Sequence, residues 1–462
     1  MSHTRQEDRL QAQITAYAMG LTYEALSPGA IRGAKISVID TLASLVAGFD
    51  GEPCRIAREL AARMPQQDGP VVIGTSLRTT PDMAAFVNAT TARFPELTDI
   101  YHAPGSSVAH PSDVVLPILA AGELAGATGR DFITSVVLAY EICLRVSHGF
   151  RNEAADNTNL ACLGSAVGAA KILKLDARQY AQALSMAVVP NNILKQARRG
   201  QKTMFKAVAA GQAGRAGVFA ALLAQAGMEG AHLPFEGKAG WCDHVAGNRF
   251  TLDTFGGGDE PFRITQVRIK NRPAAGPSIA AILAAEKVAA AVRPEDVAGI
   301  TIEVNGTSLG RTGIGDEVWN PTTRESADHS TPYLVAAALI DGAVTMRTLS
   351  DERLRDPRVR ALMSRTTMSE NRLFSDAYEN TPQEHRARVT VVTTGGATHT
   401  GEAGGDAEDL AAPRTDAQID EKFLGLTEET YGATRARAIL RRLWSLQDIG
   451  DVGELPALLA FR

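Results

Sequence analysis

The sequence predicts a mainly α protein in two parts: a large all-helical domain built from both chain ends, and a smaller inserted α+β lid domain. Three observations lead there. Apolar residues recur at helical spacing up to about residue 250 and again near the C-terminal end. Alternating and β-branched segments are confined to the stretch between. The composition is 45% apolar but only 5% aromatic, with abundant Ala and Gly, which favours closely packed helices over a β-sandwich. A chain of 462 residues also exceeds one ordinary core, so two domains are expected. The boundaries fall at 1–264 with 406–462 for the helical domain and at 265–405 for the lid.

The elements follow in order. Ser27-Pro28 is a cap and a first-turn proline, opening a helix through Ala34, Val38 and Leu42 that ends near Gly48. Pro81-Asp82 opens another through Ala85, Val87 and Ala92. Helical periodicity then covers 113–125, 130–145, 163–173, 176–188 and 205–226, with Val71-Val72-Ile73 as the one strand candidate in this half. After Gly256-Gly257-Gly258 the texture changes. Val267-Arg268-Ile269-Lys270, Ile300-Thr301-Ile302-Glu303-Val304 and the β-branched run 387–393 read as strands, with helices at 277–292 and after Tyr333. The Gly-rich stretch 395–409 reads as a linker, and 436–446 and 455–461 return to helix.

Composition also excludes. A net charge of −5, with no basic block interleaved with aromatics, argues against a nucleic-acid partner. Apolar runs are broken by Gly or charge before membrane-spanning length, and the N-terminal residues carry no apolar signal core. Cys54, Cys143, Cys162 and Cys242 are scattered with no CxxC pair, which suits buried thiols in a reducing cytoplasm. There is no GxGxxG, P-loop or HExxH, and the nine histidines show no ligand spacing, so neither cofactor nor metal is expected.

Four constellations could carry chemistry. In Arg324-Glu325-Ser326-Ala327-Asp328-His329-Ser330-Thr331-Pro332-Tyr333, Ser330 or Thr331 can cap a helix and Pro332 fits its first turn. Such a polar start can hold an anion, or can simply be a well-capped helix. Thr98-Asp99 followed by His110-Pro111-Ser112-Asp113 puts an imidazole at a loop-to-helix junction near a carboxylate, a proton-shuttle arrangement. The plainer alternative makes His110 a loop residue and Asp113 a helix-start carboxylate. In Arg198-Arg199-Gly200-Gln201-Lys202-Thr203-Met204-Phe205-Lys206, four cations at a helix start oppose the dipole, which a waiting polyanion would explain. Ile269-Lys270-Asn271-Arg272-Pro273 ends a strand on a lysine.

With Asp40-Thr41-Leu42-Ala43, Ala183-Leu184-Ser185-Met186-Ala187-Val188-Val189-Pro190-Asn191 and Pro234-Phe235-Glu236-Gly237, these stretches make the chain resemble the MmgE/PrpD family nearly end to end. That family includes dehydratases, decarboxylases and epimerases of di- and tricarboxylates, and the Arg324 to Tyr333 string looks most like its 2-methylcitrate dehydratase branch. The resemblance implies a cleft site between helical domain and lid, a homodimer, and site residues Asp99, His110, Lys206, Lys270 and Tyr333. The chain departs from the pattern at Asn157, where dehydratase-like members often have a histidine, and at Ala274-Ala275, where His or Glu is common.

The function this implies is a cofactor-independent lyase dehydrating a hydroxylated di- or tricarboxylate of the 2-methylcitrate type. His110 would be base or proton shuttle with Asp99 as partner, Lys206 and Lys270 would hold carboxylates, and Tyr333, helped by His329, would protonate the leaving oxygen. Arg198 and Asn157 would contact substrate. The alternatives are decarboxylation of a cis-aconitate-like acid, epimerisation beside a carboxylate, or a non-catalytic carboxylate-binding relative.

Overall fold

The computed structural model describes residues 7–252, 254–380, 383–405 and 408–461. Ser27 caps the helix Pro28–Gly48 as its sequence predicts, its hydroxyl accepting from the Ala30 amide at 3.2 Å. Residues 36–46 of that helix are buried on all sides. It crosses Pro81–Arg93 at Gly48, where a Cβ would lie 2.3 Å from the Thr91 carbonyl oxygen. The helix Phe205–Gln225 packs on Pro81–Arg93, Thr158–Ile172 and Ala177–Val188 at once. Its glycines permit the approach: a Cβ on Gly217 would sit 2.6 Å from the Ala166 amide nitrogen. This helix is long and apolar enough to cross a membrane, contrary to the sequence expectation that apolar runs are too broken. Its packing on three neighbours accounts for that composition.

Two buried apolar clusters result. One draws on residues from Leu10 to Ile269 and from Ile419 to Leu459. The other draws on Ala274 to Leu410, together with Ile100. In the second, four strands stand in the order β2-β1-β3-β4, with β1 Val297–Val304, β2 Thr366–Glu370, β3 Ala387–Thr393 and β4 Thr398–Ala403. β1 runs parallel to β2 and antiparallel to β3, which pairs antiparallel with β4. Ile300, Ile302, Val389 and Val391 are buried, and the helix Ile279–Ala289 lies on the sheet so closely that a Cβ on Gly401 would be 2.2 Å from the Ala284 oxygen. Charged residues alternate with these, and Arg388 bridges Glu303 and Glu402.

Three expectations about the strands were wrong. Val71-Val72-Ile73 and Val267-Arg268-Ile269-Lys270 form only single bridges, Val71 with Arg78 and Arg268 with Ile100. Neither has a neighbour long enough to extend a ladder. The stretch expected as a linker contains β4, because Thr398–Ala403 completes the sheet edge. The four cysteines are buried and free, as their spacing suggested.

The close helix contact sets a first prediction. Gly217→Ala has no room for its methyl against Ser165 and Ala166, so it should cost about 2 kcal/mol or more in urea unfolding. Gly20→Ala, where a Cβ meets nothing within 4 Å, should be neutral or slightly stabilising.

Candidate active site

Pro95 has no amide to continue the helix Pro81–Arg93, and the chain turns sharply after Phe94. Glu96 then adopts φ +58°, a left-handed conformation that a non-glycine residue holds only when its surroundings enforce it. The enforcement is electrostatic. Its carboxylate meets Arg93 Nη1 at 2.7 Å, Lys206 Nζ at 3.0 Å and Lys270 Nζ at 2.6 Å, and its carbonyl accepts from Lys270 at 3.2 Å. Lys206 also donates to both oxygens of Asp328, at 2.8 and 2.6 Å. None of these five residues is more than 1% exposed, so each charge is matched inside the protein or not at all.

Each partner arrives by a local device. Lys206 lies in the first turn of Phe205–Gln225, preceded by a loop whose Lys202 amide donates to Ser326 Oγ and whose Lys202 carbonyl accepts from Thr323 Oγ1. Lys270 follows the paired backbone of Ile100 and Arg268. Asp328 ends the short helix Arg324–Ala327, and Arg324 donates to the Phe94 carbonyl at 2.8 Å while lying over the Phe94 ring. Burial alone would raise the Glu96 pKa, but Arg93, Lys206 and Lys270 outweigh it and hold Glu96 well below the usual carboxylate range. Burial lowers the Lys270 pKa, with Glu96 opposing.

His110 stands beside this cluster. Its Nδ1 donates to the Asp99 backbone carbonyl at 2.9 Å, which fixes the tautomer and leaves a lone pair on Nε2. Burial, reinforced by Arg93 and Lys270, holds the imidazole well below its ordinary pKa, so it is neutral at pH 7. A cavity of about 10 Å³ is lined by His110, Asp113, Cys143, Asn157 and Thr158. A larger groove of about 600 Å³ is lined by Asn192, Leu194 and, from the cation run, Arg199, Gln201, Thr203 and Phe205, and includes none of the candidate site residues.

The eight sequence candidates therefore divide. Lys206 and Lys270 meet through Glu96, with His329 close by through Asp328, which accepts from His329 Nδ1. Burial and Lys206 hold the His329 pKa at about 4. Asn157 lines the His110 cavity, and Arg198 Nε binds Asp156 at 3.0 and 3.2 Å. The cation run before Phe205 is thus partly answered by Asp156, a carboxylate of the protein, rather than by a polyanion.

Asp99 and Tyr333 do not take the places expected. The Asp99 carboxylate accepts from the Ser112 amide and the Tyr140 hydroxyl, and only its main-chain oxygen reaches His110. Ser330 caps the helix Thr331–Asp341 as predicted, but this leaves Tyr333 fully buried with its hydroxyl on the Thr348 carbonyl at 2.7 Å. Burial raises its pKa, which makes it a poorer acid. Three members of the cluster, Arg93, Glu96 and Asp328, were not among the candidates. Arg93 reads as an ordinary last-turn cation, and Glu96 carries only the Pro95 stop as a signal.

Glu96, Asp328 and His329 bring possible metal-ligand atoms within 4.8 Å of one another. Both carboxylates are already paired with lysine ammonium groups.

A two-core helical protein with a buried lysine–carboxylate cluster beside a neutral imidazole is equipped for acid–base chemistry on an anionic substrate. The family profiles agree with this class. The MmgE/PrpD N-terminal domain matches residues 12–253 and the MmgE/PrpD C-terminal domain matches 273–446, and the chain belongs to this family of dehydratases and decarboxylases. Human cis-aconitate decarboxylase is 25% identical, covering 95% of this chain and 92% of its own length. The 2-methylcitrate dehydratase of Escherichia coli K12 is 26% identical over 84% of this chain and 82% of its own. The mitochondrial 2-methylcitrate dehydratase of Yarrowia lipolytica is also 26% identical, over 80% of this chain and 74% of its own.

Asp99 offers a test of the site's electrostatics. Burial pushes its carboxyl up to about 6 from an ordinary 3.8, against the Ser112 and Tyr140 hydrogen bonds. A raised carboxyl favours the fold below the ordinary value, and that contribution is lost as pH rises through about 6. Asp99→Asn removes this dependence. Its melting temperature relative to the unsubstituted protein should therefore rise between pH 4 and 7, by an amount equivalent to on the order of 3 kcal/mol.

Proposed function

We propose that this protein is a cofactor-independent lyase that dehydrates a hydroxylated di- or tricarboxylate of the 2-methylcitrate type. The observation that carries the reading is the His110 tautomer: a neutral imidazole with its lone pair on Nε2, set beside buried cations. In this reading Nε2 takes a proton from the carbon next to a carboxylate. The released electron pair forms the C=C bond as the C–O bond breaks, and the departing hydroxide takes up a proton and leaves as water. The imidazolium just formed is the acid at hand, since the Tyr333 hydroxyl is committed to Thr348. Lys270, Lys206 and Arg198 stabilise the charge that develops on the substrate carboxylate. The Glu96 and Asp328 contacts loosen as that charge arrives.

A second reading, decarboxylation of a cis-aconitate-like acid, uses the same groups and is supported by the cis-aconitate decarboxylases among the relatives. Supplying 2-methylcitrate, citrate and cis-aconitate separates the two. Dehydration gives a rise in conjugated-acid absorbance without CO₂, and decarboxylation releases CO₂ from cis-aconitate alone.

His110→Ala should lower kcat by about 100-fold or more with whichever acid turns over. Tyr333→Phe should leave kcat within a few-fold and cost only about 1 kcal/mol of stability, the contribution of one hydrogen bond. A large kcat loss in Tyr333→Phe would restore the phenol as the acid.

A further inference from the structure

Two buried polar atoms without a partner flank Asp156, one on Asn157, its neighbour in the chain, and one on Arg198, its ion-pair partner. Asn157 donates from Nδ2 to the Val108 carbonyl at 2.7 Å, which settles the orientation of its amide. The other end, Oδ1, is buried with no hydrogen-bond partner among the described residues. Arg198 is held by Nε on Asp156, and its Nη2 is likewise buried without a partner. The first atom can only accept and the second can only donate.

The cavity at Asn157 decides what could meet them. At about 10 Å³ it has the size of a single water, and Pro111, Leu160 and Ala161 make much of its wall apolar. Cys143 turns its thiol to the Leu160 carbonyl at 2.8 Å. The remaining polar lining is His110, Asn157, Thr158 and Asp113, and the Asp113 carboxylate faces Arg93 Nε at 3.6 Å. A substrate carboxylate would be too large here and would put its oxygens against Asn157 Oδ1 and Asp113. A hydroxyl fits in size and brings the donor that Oδ1 lacks.

We propose that the cavity between His110 and Asn157 seats the substrate's hydroxyl group, with Asn157 Oδ1 accepting from it and Arg198 Nη2 holding the carboxylate on the same carbon. Asn157 is then a specificity-determining residue that selects 2-hydroxy acids over acids lacking the hydroxyl. The proposal rests on the lyase reading and narrows it, because an unsaturated acid offers no donor to Asn157 and leaves a buried acceptor unpaired. It also places the departing oxygen in a compartment large enough for one water and lined by the imidazole.

The test is calorimetric binding of citrate and of propane-1,2,3-tricarboxylate, which is citrate without its hydroxyl. The unsubstituted protein should bind citrate at least about tenfold more tightly, since a site built around a substrate hydroxyl leaves its own polar group unpaired with the analogue. Asn157→Leu, checked for a cooperative melt, should bring the two affinities within about twofold. Arg198→Gln should weaken both acids alike. Equal affinities in the unsubstituted protein, a preference that persists in Asn157→Leu, or binding of neither acid would each overturn the proposal. The first comparison needs no variant, so a misfolded Asn157→Leu does not protect the idea. Failure of the lyase reading looks different: the citrate preference would remain while no acid is turned over.

Discussion

The Glu96 carboxylate is the interaction on which the rest depends. Three cations from three parts of the chain converge on it: Arg93 from the end of one helix, Lys206 from the start of another, and Lys270 from the segment leading into the second core. Asp328 answers Lys206 from the far side. Removing one member of such a buried set leaves the others uncompensated, which typically costs about 3–5 kcal/mol. The left-handed backbone at Glu96 is affordable only against that scale. The network therefore fixes how the end of Pro81–Arg93, the start of Phe205–Gln225 and the Arg324–Ala327 turn stand relative to one another.

That arrangement has a chemical consequence. His110 takes its tautomer from a main-chain carbonyl and its low basicity from burial and from Arg93, Lys270 and Arg198. A depressed base is a weak one, and general-base catalysis works best near the operating pH. In the proposed reaction, the substrate's own carboxylates correct this. A polyanion that pairs with Arg93, Lys270 and Arg198 offsets the part of the depression those cations cause, while burial, the larger cause, stays. In this reading the base strengthens in part when its substrate is in place, and Lys270 both binds charge and tunes the imidazole.

The fold was legible wherever structure follows from neighbours along the chain. The Ser27-Pro28 start, the Pro81 start and the Ser330 cap are all short-range signals, and each appears where the sequence puts it. The misread strands fail for the opposite reason. Val267-Arg268-Ile269-Lys270 has a strand's alternation, but a strand needs a partner, and only Ile100 is offered. Thr398–Ala403 has weak propensity and still pairs, because β3 presents it with a full edge. Periodicity describes a segment's faces, and it carries no information about what stands opposite.

The site repeats this distinction at the level of single side chains. His110, Lys206, Lys270, Asn157 and His329 were singled out because a loop-to-helix imidazole, a cation run at a helix start, a strand-end lysine, a departure from a family pattern and a polar helix-start string mark themselves in sequence. Their carboxylate partners were less visible, since Glu96 sits in an unremarkable turn and Asp328 in a string where every neighbour is polar. Asp99 was placed beside His110, but a side chain's direction depends on the backbone that carries it, and Tyr333 lies in the second core. The Ser330 cap that confirms the helix also turns Tyr333 toward Thr348, and the Asp99 carboxylate is claimed by Ser112 and Tyr140 before it could reach the imidazole. Local structure thus gives both side chains other partners, and it is the Asp99 carbonyl, a group every residue possesses, that holds His110 Nδ1.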